Sequence, residues 1–154
     1  MWKRYSYMFQ TISKRILLFT AFVLAAGSSP AFSQTVEDSS RRTIGYISAS
    51  GTVENSSRST LGYISSNGTV ENSSRSTLGY IRENGTVENA SRTTLGYISE
   101  NGTVENASRS TLGYANTNGT VENSSRSTIG YAKGVKLEHA AAFFFFFFQP
   151  KKSE

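Results

Sequence analysis

The chain has 154 residues, with 16 Lys and Arg against 11 Asp and Glu, and no cysteine. The missing cysteine excludes disulfides, thiolate metal sites and a lipid anchor on an N-terminal Cys. Lys3, Arg4, Lys14 and Arg15 are the only charges in the first 33 residues, so residues 34–154 carry 12 basic and 11 acidic side chains, a net +1 that is no footprint for nucleic acid.

The N-terminal segment reads as a secretory signal peptide. Its four basic residues precede the apolar run ILLFTAFVLAAG, Ile16 to Gly27, which is too short for a conventional bilayer-spanning helix. Pro30 then breaks the helix, and the small residues Ala31 and Ser33 place cleavage between Ser33 and Gln34. The competing reading is an uncleaved membrane anchor. Cleavage predicts an exported protein of the periplasm, cell surface or extracellular space.

From Val36 the chain repeats with a period of 17: VEDSSRRTIGYISASGT (36–52), VENSSRSTLGYISSNGT (53–69), VENSSRSTLGYIRENGT (70–86), VENASRTTLGYISENGT (87–103), VENASRSTLGYANTNGT (104–120) and VENSSRSTIGYAKGVKL (121–137). Asn67-Gly68, Asn84-Gly85, Asn101-Gly102 and Asn118-Gly119 signal hairpins between arms rich in Thr, Val, Ile and Tyr. A two-residue type I′ loop at Asn67-Gly68 would pair Ile64 with Glu71 and Tyr63 with Asn72. Leu61, Tyr63 and Val70 would then form the apolar face, with Gly62, Ile64 and Glu71 opposite. On this register Tyr is the principal core residue. Ile64 corresponds to Ala115 and Ala132 in later copies, as expected of a less demanding position. The second corner, NSSR or NASR, is a polar turn.

A 17-residue hairpin cannot bury enough surface to fold alone, so the copies must pack on one another. One solution is a β-solenoid, which stacks like charges in columns. The favoured one is a closed radial array of five to six hairpins, an all-β flower. The chain opens with an unpaired arm, Val36 to Asp38, and ends with another, Ile129 to Ala132, which can complete the ring. Residues 34–137 thus form the repeat domain and 138–154 a separate tail. A helix-favouring segment leads into it from Val135, with no breaker until Pro150. The tail contains six consecutive phenylalanines, Phe143, Phe144, Phe145, Phe146, Phe147 and Phe148. Such a segment has no polar side in any regular conformation and wants apolar surroundings. Full burial of the six rings is worth roughly 9–18 kcal/mol gross. The stretch Ala140 to Phe148 is too short to span a bilayer, so the candidate homes are the chain's own ring, a partner or membrane surface, or a receptor that reads the tail.

The repeated GYI-x-x-NGTVEN, the closing IGYAKGV and the tail AA…FFFFF resemble the bacterial 5-fold beta-flower proteins over Gln34 to about Phe148. That resemblance implies β-hairpin petals about an axis and no assigned activity. Five Gly-Thr turns, at Gly51, Gly68, Gly85, Gly102 and Gly119, agree with it, while six Val-Glu arms and six Gly-Tyr arms leave room for a sixth petal.

Enzyme chemistry is not expected. The single histidine, His139, lies outside the repeats, and no nucleophile, base and orienting group converge. No catalytic, cofactor-binding or metal residues are assigned. Glu54, Glu71, Glu88, Glu105 and Glu122 recur with Arg58, Arg75, Arg92, Arg109 and Arg126. These read as a solvated ring of ion pairs rather than a calcium site. Tyr63, Tyr80, Tyr97 and Tyr114 are a candidate ligand surface, for a glycan above all, against the competing role in the core. Asn55, Asn72, Asn89 and Asn123 match the glycosylation triplet but read as turn residues. The expected function is an exported structural or ligand-binding repeat module; the alternative is a membrane-associating or self-assembling protein working through its Phe tail. No nucleic-acid partner is expected, and the oligomeric state is open.

Overall fold

A computed structural model describes residues 32–149; apart from Phe32 and Ser33, the expected signal peptide lies outside them, as do Lys151 and Lys152. Twelve short strands follow one another: β1 (Ser33–Asp38), β2 (Thr43–Ser48), β3 (Thr52–Asn55), β4 (Thr60–Ile64), β5 (Thr69–Asn72), β6 (Thr77–Ile81), β7 (Thr86–Asn89), β8 (Thr94–Ile98), β9 (Thr103–Asn106), β10 (Thr111–Ala115), β11 (Thr120–Asn123) and β12 (Thr128–Tyr131). Each pairs antiparallel with its neighbours in sequence, and β12 pairs with β1, so the sheet closes into a barrel. The radial reading of the sequence holds and the solenoid does not. At the seam Glu37 lies opposite Tyr131, as Glu54 lies opposite Tyr46 within a hairpin. The two terminal half-hairpins therefore build a sixth petal, and the ring is six-fold. The tail follows as α1 (Leu137–Ala141) and a π-helical turn, Ala142–Phe146.

The expected register is corrected by one residue. Ile64 pairs with Val70, Tyr63 with Glu71 and Gly62 with Asn72. The loop has three residues, not two. Ser65 N–H donates to the Thr69 carbonyl, and Gly68 N–H to that of Ser65. Gly68 alone takes positive φ (+80°), whereas a type I′ loop would need Asn67 there as well. Asn-Gly suits both loops, but the extra residue reverses the faces of the strand before the turn. Gly62, Ile64 and Val70 are buried, while Tyr63 is half-buried on the outer face.

The opposite corner uses the same turn. Arg58 N–H donates to the Asn55 carbonyl and Asn55 N–H to that of Ser59, while the Asn55 amide oxygen accepts from Ser57 and Ser59 N–H at 2.9 Å each. The asparagines of the glycosylation-like triplets thus serve the turn. Here the residue in the left-handed region is an arginine, in all six copies, with φ between 63 and 65°. Beside each of these turns one strand carries a bulge, as between Val53 and Glu54, which adds the twist a closing barrel needs.

On the outer face each such arginine lies over the tyrosine of the strand two places back. Arg58 Cζ is 3.4 Å from the Tyr46 ring centroid and Arg75 Cζ 3.4 Å from that of Tyr63. The same guanidinium pairs with the cross-strand glutamate, as Arg75 does with Glu71 at 3.0 Å. Arg41 repeats the arrangement across the seam, over Tyr131 and paired with Glu37. The third copy departs: Arg82 takes Glu88, and Arg92 stays over Tyr80 at 4.4 Å.

A left-handed non-glycine residue costs about 1–2 kcal/mol. A cation–π stack returns about 0.5–1 kcal/mol and an exposed ion pair at most about 1 kcal/mol. The two sides nearly cancel. Substituting Arg75→Gly should therefore leave stability within about 0.5 kcal/mol, because the strain is relieved as the contacts are lost. Arg75→Ala keeps the strain and should be about 1 kcal/mol less stable than Arg75→Gly; urea unfolding of the two variants checks the order.

Candidate functional site: the plugged barrel and its open mouth

Eight strands enclose about as much space as side chains can fill, so twelve leave a lumen that needs a separate filler. Here the inward positions are small: a valine, a glycine, and isoleucine or alanine from each repeat. The Phe tail supplies the missing volume. A methyl group built on Gly45 would lie 3.1 Å from a ring carbon of Phe143, and one on Gly130 would lie 2.5 Å from Phe144. Methyl groups built on Gly113, Gly96, Gly79 and Gly62 would lie 2.7, 2.9, 2.8 and 2.8 Å from ring carbons of Phe145, Phe146, Phe147 and Phe148. Consecutive rings thus step from one repeat to the next, once around the barrel. Each strand glycine is a seat for one ring.

Six seats divide the circle into steps of about 60°, whereas an α-helix turns about 100° per residue. The tail widens accordingly: Phe147 N–H donates to the Ala142 carbonyl at 2.9 Å, an i to i+5 bond. This brings the first and last rings together, with Phe143 and Phe148 stacked at 6.4 Å between centroids. Phe143, Phe144 and Phe148 are buried and Phe145 to Phe147 half-buried.

Ala115 and Ala132 are not tolerant positions, as the sequence suggested. Both are 1 % exposed. Two isoleucines are replaced by alanine on the side where the tail turns in, and α1 packs against β10 there. The helix therefore sits off the barrel axis. On the other side a crevice of about 600 Å³ opens at the Asn-Gly end, floored by Ile64, Ile81, Ile98 and Leu137. Glu83 and Glu100 line it from two adjacent loops, and Lys136, Glu138 and His139 from the tail.

Of the candidate ligand tyrosines, Tyr63, Tyr80 and Tyr114 lie elsewhere, while Tyr97 borders the crevice together with Arg109. Tyr63, Tyr97 and Tyr114 carry a guanidinium at 3.3–3.4 Å from the ring centroid, and Tyr80 carries Arg82 and Arg92 at 4.6 and 4.4 Å. Their outward faces are occupied by the protein's own arginines, and they are not core residues. Among the described residues no cluster of His, Asp and Glu could hold a metal ion. The glycine seats escaped the sequence reading. The signal was a glycine in mid-strand, where it marks close approach of another group, repeated as often as the tail repeats phenylalanine.

A closed, up-and-down antiparallel barrel of short repeats, plugged by its own C-terminal segment, defines a small all-β repeat protein. The chain belongs to the 5-fold beta-flower protein family, whose sequence profile matches residues 33–148; this member closes with six petals. No curated protein and no solved structure matches it.

Two outcomes follow. Phe143→Ala should cost about 3–5 kcal/mol and Phe146→Ala, from a half-buried seat, clearly less. Deleting one phenylalanine shifts the others off their glycines and should cost more than either, as chemical denaturation of the three variants will show.

Burial holds the His139 imidazole below its ordinary value of 6.5; Lys136 adds to the shift and Glu138 opposes it. The unfolded chain therefore takes up this proton first as pH falls. The stability due to neutral His139 is present above pH 6.5 and lost as pH drops through the lower folded value. Asp38, held low first by the Arg42 N–H, is lost only below 3.8 and leaves this window clear. Thermal melts between about pH 7 and pH 5 should show the wild-type midpoint falling with acidification and His139→Gln losing that slope.

Proposed function

We propose that this protein is an exported ligand-binding module, a rigid barrel whose Phe tail works inside the chain and whose mouth receives the ligand. The observation that carries this reading is the seating of all six rings on six glycines of the same chain, which leaves the crevice as a concave surface with an apolar floor and a polar rim. A glycan or cell-wall fragment remains within the scope of the mouth. The outer tyrosines favour it less, since stacking a sugar on them would first require displacing arginine.

The membrane-associating alternative asks the tail to leave its seats. The strands, four to six residues long, fall short of the roughly 9–11 needed to cross a bilayer, and their outward face carries Glu and Arg. No described helix is long and apolar enough to cross either.

Comparing residues 34–154 with a chain lacking residues 138–154 tests the assignment. Loss of cooperative unfolding and of near-ultraviolet dichroism on truncation is the expected result. A truncated chain that stays folded and monomeric but no longer binds liposomes or self-associates would transfer the tail's role to the alternative. A screen of the intact barrel against glycans and cell-wall fragments, followed by mutation of mouth residues, tests the binding half.

A further inference from the structure

The six copies are an internal comparison. Most positions keep their chemistry throughout, because each has a task in the turn, the outer cluster or the core. Ionisable departures occur in two places. Asp38 and Arg42 pair with each other at 2.8 Å beside the seam. The others stand at the Asn-Gly end, where the two residues before the turn read Ser65-Ser66, Arg82-Glu83, Ser99-Glu100 and Asn116-Thr117.

Among the described residues, the charges with neither an ion-pair partner nor an aromatic stack are Glu83, Glu100, Lys133, Lys136 and Glu138. All of them lie in Asn-Gly loops or on the segment entering the mouth, and all but Lys133 line the crevice. The unpartnered charges lining the crevice are thus three carboxylates and one ammonium, beside isoleucine side chains; Arg82 and Arg109 also line it, paired with Glu88 and Glu105. Glu83 and Glu100 occupy the same repeat position in adjacent hairpins, two strands apart, which separates their backbones by roughly 10 Å.

We infer that the mouth crevice binds a linear aliphatic diamine, its methylene chain on Ile81, Ile98 and Leu137 and its two ammonium groups at the Glu83 and Glu100 carboxylates. Among the unpartnered lining charges, the excess of two carboxylates matches such a dication, and the apolar floor disfavours a purely polar cation. This assignment rests on the reading of the mouth as the ligand site and names the ligand class.

The test is titration of the intact mature chain with hexamethylenediamine, followed by isothermal calorimetry and by methyl NMR. Expected are saturable binding, shifts confined to the methyls of Ile64, Ile81, Ile98 and Leu137, weaker binding of hexylamine, and none of hexanoate. The double variant Glu83→Gln/Glu100→Gln should weaken the diamine about tenfold or more, while Glu71→Gln on the outer face leaves it unchanged. Added salt should weaken it too. The substituted mouth residues are exposed and unpaired, so unaltered circular dichroism of the variants separates lost binding from lost fold. Absence of saturable binding, equal affinity for hexanoate, or an unchanged double variant overturns the inference. If the diamine fails while a glycan binds and shifts the same methyls, the mouth remains the ligand site and only the amine assignment falls.

Discussion

The fit of a phenylalanine ring over a strand glycine is the interaction on which the molecule depends. A twelve-stranded barrel lined by valine, isoleucine and glycine cannot fill its own lumen, and water inside would leave that lining exposed. The tail solves this with a segment apolar on every side. The same solution dictates much else. Each repeat gives up a side chain in mid-strand, and the tail departs from α-helical pitch. Two repeats exchange isoleucine for alanine to let the helix pass. The barrel's one large asymmetry, the open mouth, is a by-product of that passage.

The outer face obeys a different economy. Tyrosine, arginine and glutamate recur there as a unit, and the strain of a left-handed arginine roughly offsets what its stack and ion pair return. These clusters therefore add little net stability. They cover the tyrosine rings and neutralise charge in place, which keeps an exposed aromatic belt from becoming a sticky surface. Because the fold consumes charge so completely around its wall, the few charges left over at the mouth stand out.

Much of the architecture was legible in the sequence. The unbroken period of 17 announced identical units, and the unmatched arms at Val36 and Ile129 announced closure. The tail's lack of any polar side, with too little length to span a bilayer, pointed to a home inside the ring. The details of the site were less legible. Asn-Gly accommodates a two-residue and a three-residue loop, and nothing local at Ser65 to Thr69 decides between them. That single residue determines whether tyrosine or glycine faces the axis, and hence whether Tyr63 is core or surface.

By itself the sequence determined the repeating units and their order along the chain and favoured a closed ring of five to six petals, because strand propensity, turn chemistry and period are properties of neighbouring residues; the pairing of the first strand with the last fixed the number at six. Tertiary structure alone decided the register and the inward face. Only the assembled ring brings Phe148 against Gly62 and Phe143 against Gly45, and the space available at those points selects the side that must carry no side chain. It also alone decided where the mouth lies, since the gap is what remains of the lumen once the helix leans on Ala115.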